Sequence, residues 1–245
     1  MSNRMHWSRV LLEGAVIVVS ILLAFGIDAW WQGVQDRALE REYLARLLED
    51  QLANKAVIAT LNRQQANQVH NARRIYPLVA HGNWEGLDPT SAVVASYQAT
   101  PTPSPTWVDD TFEELKSTGR IGLLRNPELR SQLLDFYRYL ESADYTYELM
   151  STEYRDAVRK RLDPDVQLLI RSDCGPEIDV ACRPDLGASE IAPYVAWITE
   201  NPVLADGLRR VIVQWTRAEE EYLPRAQTRI EAIVEQLERE MARLQ

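Results

Sequence analysis

The segment VLLEGAVIVVSILLAFGI (10–27), followed almost at once by Trp30 and Trp31, constrains this chain more than any other feature. The uninterrupted apolar run between Glu13 and Asp28 is 14 residues. That is short for a spanning helix and close to the core of a signal peptide. Two flanking features lengthen it. Glu13 can snorkel to the headgroup level, and the Trp pair suits the opposite interface. Counted from Val10 to Trp31 the helix measures roughly 33 Å at about 1.5 Å per residue, enough for a hydrocarbon core of about 30 Å. The competing reading is a cleaved signal, with Arg4 and Arg9 as its basic end and Ala24-Phe25-Gly26 as the cleavage site. The anchor is favoured because no helix breaker follows. The helical pattern runs straight on into ALEREYLARLLEDQL (38–52).

Flanking arginines do not orient the span. Arg4 and Arg9 precede it, and Arg37, Arg41 and Arg46 follow within fifteen residues. An inside N-terminus is favoured by Arg9, which abuts the apolar run, and because large downstream domains translocate largely regardless of charge. The cysteines agree. Cys174 and Cys182 flank a turn-rich loop, SDCGPEIDVACRPD (172–185), and are the candidate disulfide. Such a bond persists in an oxidising compartment. The alternative is two free thiols in a cytosolic loop. Their spacing fits no standard zinc pattern, so no metal and no cofactor are expected.

The expected organisation is a short cytoplasmic tail (1–9), a transmembrane helix (10–31) and an extracytoplasmic helical domain (32–245). Beyond Arg9 the chain carries a net charge of −11, which disfavours nucleic acid and anionic lipid as partners. Helix formers dominate and β-branched runs are short, so the expected fold is all-α. The transmembrane helix should continue into an antiparallel bundle of about three long helices plus short ones. The first runs to about Val79, with the stretch 62–74 much more polar than the rest. Asp88-Pro89 opens a short helix, and TPTPSPT (100–106) reads as a stiff connector. Thr106 is placed to cap the helix WVDDTFEELKS (107–117), which Gly119 ends.

The second long helix starts at Asn126-Pro127 and has a seam at Leu129, Leu133, Phe136, Leu140, Ala143, Tyr147, Met150, Tyr154 and Ala157, ending at Leu162-Asp163-Pro164. Its average spacing of 3.5 predicts one continuous face against a partner helix. A loop with the cysteines follows, then a short helix around 189–199. Asn201-Pro202 starts the third long helix, with Leu204, Leu208, Val211, Trp215, Ala218 and Tyr222 inward. Pro224 kinks or ends it.

Motifs for catalysis are missing from the sequence: no HExxH, no phosphate loop and no G-x-S-x-G elbow. Acidic pairs such as Asp109-Asp110 and Glu113-Glu114 read as solvated helix faces. Tyr137, Tyr139, Tyr145, Tyr147 and Tyr154 are candidates for a ligand groove, with core packing preferred for the last two. Within the span, Glu13, Ser20 and Asp28 are a candidate interface for a second membrane helix. The plainer reading is that Glu13 and Asp28 simply bound the hydrocarbon segment, with Trp30 and Trp31 as interfacial anchors.

The stretch from Glu13 through Gly26, Asp28 and Trp30-Trp31 to Tyr43, Leu44 and Leu47 resembles the start of an uncharacterised bacterial single-pass membrane-protein family, a domain of unknown function. FEELKSTGRIGLLRNPELR (112–130) resembles its central motif. The resemblance implies a bacterial inner-membrane protein and carries no activity. The expected function is a membrane-anchored interaction, scaffold or sensor-like protein without catalytic activity, meeting a protein partner or its own copy. The alternatives are a hydrolase using carboxylates in an interhelical cleft and a soluble exported protein.

Overall fold

The computed structural model describes residues 4–102, 105–148, 153–175 and 182–244, and among them the fold is all-α. The elements are α1 (Arg4–His81), α2 (Pro89–Gln98), α3 (Asp110–Ser117), α4 (Pro127–Glu148), α5 (Glu153–Arg161), α6 (Pro164–Cys174), α7 (Ala188–Glu200), α8 (Val203–Arg217) and α9 (Leu223–Arg243).

One unbroken helix of 78 residues, α1, carries both the apolar segment and the spine of the domain. From Leu11 to Gln32 every residue is exposed, and the most apolar 18-residue window has no cover at all. Burial starts at Glu40 and continues through Tyr43, Leu44 and Leu47. The helix stops at Gly82, whose φ of 67° a side-chain-bearing residue rarely adopts. Its N–H donates to the Leu78 carbonyl, and Asn83 N–H reaches the Pro77 carbonyl.

Against this spine α8 and α9 run back towards the apolar segment. Arg209 donates to Tyr76, Arg73 to Thr216, and Arg41 to the carbonyl of Leu244. Helix α4 lies antiparallel to α9, since Asn126 meets Glu240 and Tyr139 donates to the Tyr222 carbonyl. The core is split into two layers along α1. The layer nearer the span joins Tyr43, Leu47, Ile58 and Leu61 of α1 to Leu133 and Phe136 of α4, Phe112 of α3 and Ile230 of α9. The farther layer gathers Ala72, Ile75 and Leu78 of α1 with α2, α5, α6, α7 and α8.

Several sequence expectations are corrected by this split. The heptad seam does not face one partner throughout. Leu129, Leu133, Phe136 and Leu140 belong to the near layer and Tyr154 to the far one. Tyr147 and Met150 lie outside what is described of side chains. Residues 164–174 form a helix rather than loop, because the Asp163 carboxylate accepts the Asp165 N–H and Pro164 presets the first turn. Helix α3 begins at Asp110, not after Thr106. The polar stretch of α1 is largely inside: Gln65, Gln68 and Asn71 are buried, with Gln68 donating to the Ala99 carbonyl. Pro224 stands in the first turn of α9, as a proline that starts a new helical stretch would. The turn before it, Ala218–Tyr222, widens to a π-helix. That accommodates a ring that would otherwise press on the carbonyl four residues back.

Two expected stability effects arise here. Cys174, closing α6, is bonded to Cys182, with the Cα atoms 5.4 Å apart. The bond closes a small ring, and by loop-closure entropy removing it should cost about 2–3 kcal/mol. Denaturant unfolding of Cys174→Ser/Cys182→Ser checks this; unchanged stability would mean the ring is already ordered without the bond.

At the start of α2 the Asp88 carboxylate accepts the backbone N–H and the hydroxyl of Ser91. These bonds, with Arg183 nearby, hold its pKa below the ordinary 3.8. A depressed carboxylate pKa adds stability above the unfolded value and loses it as pH falls through the folded one. Asp88→Ala should therefore cost about 1 kcal/mol at neutral pH, and the difference should shrink as pH falls below the ordinary carboxylate range. Melting temperature measured against pH reads the convergence of the two proteins in acid.

Candidate functional site

Within the apolar section the three polar side chains take different positions. Ser20 donates back to the Val16 carbonyl at 2.7 Å. Asp28 accepts from Gln32 at 2.9 Å, one turn on. Glu13 lies exposed nearer the N-terminal end. Trp30 and Trp31 are both exposed, their ring centroids 6.4 Å apart. So two of the three candidate interface groups already bond within their own helix.

A concavity of the domain lies between α3 and α4. It is a groove of about 940 Å³. Each helix supplies one stripe at helical spacing: Asp109, Phe112, Glu113 and Lys116 from the start and length of α3, and Leu134, Tyr137, Arg138, Glu141 and Tyr145 from α4. The helices are antiparallel here. Trp107 Nε1 donates to Asp144 at 3.0 Å at one end, and Phe112 stacks on Tyr137 at 4.3 Å in the middle.

A buried clamp on α1 sets the position of the groove wall. The Asn54 side chain donates to the Val108 carbonyl and accepts the Val108 N–H, both at 2.8 Å. Tyr137 donates to the same carbonyl, and Gln51 donates to the Tyr137 hydroxyl. These bonds hold 107–109 out of helical register and explain why α3 starts late. At the other end of the proline-rich connector, Arg159 donates to Thr100 and packs 4.3 Å from the Tyr97 ring. The connector thus joins the two core layers with both ends fixed. Asn54→Leu should free the Val108 amide, costing about 1–3 kcal/mol. Hydrogen exchange at the Val108 amide should then speed up markedly; unchanged protection would show that the clamp is dispensable.

Charge is uneven along the groove. The Trp107 end carries Asp109, Glu141 and Asp144. At the other end Lys116 pairs with Glu113 at 2.6 Å, while Arg138 lies mid-groove next to Tyr137 on α4. The Lys116 ammonium lies 5.5 Å from the Phe112 ring centroid. Burial drives the Tyr137 phenol well above its usual range, and the carboxylates of Asp50, Asp109 and Glu113 push it further. The phenol therefore stays protonated and serves as a hydrogen-bond donor.

Of the tyrosines considered from sequence, Tyr137 and Tyr145 line the groove. Tyr139 faces α9 and Tyr154 is buried in the far layer, its hydroxyl donating to the Ser96 carbonyl. Trp107, Asp109 and Glu141 were not singled out by sequence reasoning as site residues. A polar and aromatic stripe at i, i+3, i+4 and i+7 beside the apolar seam of α4 was the available signal. Among the described residues no group of three His, Cys, Asp or Glu side chains is arranged to hold a metal ion. The groove carboxylates Asp109, Glu113 and Glu141 are exposed, so they stand in water rather than in a sealed cleft. No family model, curated protein or solved structure matches the chain.

Proposed function

We propose that this protein is a single-pass bacterial membrane protein that acts by binding, holding a helical bundle at the outer face of the cytoplasmic membrane and presenting the α3–α4 groove to a protein partner. The observation that carries the reading is the uncovered apolar section of α1 continuing without a break into a packed domain. An apolar helix with no protein neighbour needs lipid around it, and a rigid continuation fixes the domain above the bilayer. The disulfide supports the outer location, because such bonds persist in oxidising compartments. Exposed groove carboxylates fit recognition better than acid–base catalysis, which draws on desolvated groups with displaced pKa values.

Reporter fusions at both ends, combined with thiol labelling, test the placement. A reporter after Gln245 should be active only outside, and one before Met1 only inside. Cys174 and Cys182 should take label only after reduction. Labelling of both thiols without reductant, or a mature N-terminus near Ile27, would overturn the proposal.

A further inference from the structure

The groove's chemistry narrows the class of partner, an inference that rests on the binding role proposed above. We propose that it holds an extended peptide segment of a partner protein, with a lysine or arginine head group seated at the Trp107 end. Three observations converge. First, the site is bordered by aromatic side chains: Trp107 and the exposed Tyr145 stand beside a Phe112–Tyr137 pair that stacks on itself. Aromatic faces attract ammonium and guanidinium groups within about 6 Å of the centroid. The groove already displays this contact internally, through Lys116 and Phe112.

Second, the charge is polarised. Asp109 and Glu141 are exposed carboxylates of the groove, and Asp144 stands with Trp107 at the same end. Lys116, paired with Glu113, lies towards the opposite end, and Arg138 is mid-groove beside Tyr137. A cationic head group is therefore drawn to one end and repelled from the other.

Third, the shape suits a chain rather than a single head group. Leu134 to Tyr145 spans three helical turns, roughly 16 Å at about 1.5 Å per residue. An extended strand covers that length in about five residues at roughly 3.3 Å each. The wall is also rigid where it matters, because Asn54 fixes Val108 next to Trp107. A preformed wall lowers the ordering cost of binding a flexible segment.

The test uses the full-length protein in lipid nanodiscs and fluorescence anisotropy. The probes are a labelled, end-blocked pentapeptide with one arginine, the same peptide with citrulline, and spermidine as competitor. The arginine peptide should bind saturably. Affinity should fall at least tenfold for the citrulline peptide, for Asp109→Asn/Glu141→Gln and for Trp107→Leu. The exposed carboxylate pair keeps the fold under test intact should Trp107→Leu disturb it. Glu219→Gln/Glu220→Gln, which removes the same charge at the π-turn, should leave affinity within twofold. Equal loss in that control would reduce the effect to net charge and overturn the site. Equal binding of the citrulline peptide would overturn the cation, and spermidine binding tighter than the peptide would reassign the groove to small organic cations. Absence of saturable binding to any probe would overturn the inference as a whole. The topology experiment fails or succeeds independently of all these outcomes.

Discussion

Ile17→Arg/Ile21→Arg is expected to remove the protein from membranes. Both residues lie mid-span on an uncovered section of α1. An arginine at the centre of a spanning helix costs about 2.5–3.5 kcal/mol on insertion scales, so the pair costs roughly 5–7 kcal/mol. The single apolar segment has no neighbouring span among the described residues to shelter the charges. Carbonate extraction reads the outcome directly. The parent chain and Ile17→Leu/Ile21→Leu should stay with the membrane, and the arginine variant should not. Release of the parent chain itself would sink the anchor and favour a cleaved signal.

Phe136→Ala should be the most damaging single change in the domain. Phe136 is fully buried in the near layer, on the α4 face that meets α1 and α9. Truncating a buried phenylalanine costs about 3–5 kcal/mol, through lost transfer energy and the cavity left behind. A domain of this size has about 5–15 kcal/mol in total, so the loss threatens the fold. Tyr145→Ala, at the exposed rim of the groove, should stay within about 0.5 kcal/mol. Denaturant unfolding of both variants makes the comparison. A Phe136→Ala cost below about 1 kcal/mol would mean that the near layer repacks freely.

Local signals in the chain were read well where the physics is local. Asp88-Pro89 and Asn126-Pro127 each mark a helix start, and in the structure both side chains accept backbone N–H groups of the first turn. Gly119 sits at φ 69° and terminates α3 as its position implied. The missed features depend on distant residues. Helix α3 starts late because Asn54 holds Val108, 54 positions away. The stretch 62–74 is much more polar than the rest of α1, and its sequence does not reveal that Gln68 is buried, donating to the Ala99 carbonyl. Tyr137 and Tyr139, two residues apart, point to different faces of α4 by helical geometry, and only packing decides that one face borders the groove and the other α9.

By itself, the sequence determined that a long apolar helix stands near the N-terminus, that the fold is helical, and that two cysteines flank one short loop. Each follows from hydropathy, periodicity or spacing along a few turns of chain. The tertiary structure alone decided that the core divides into two layers along that helix, and that α3 and α4 leave an aromatic groove between them. Those depend on which faces meet across long sequence separations. A helical period specifies that a face exists and not what it packs against.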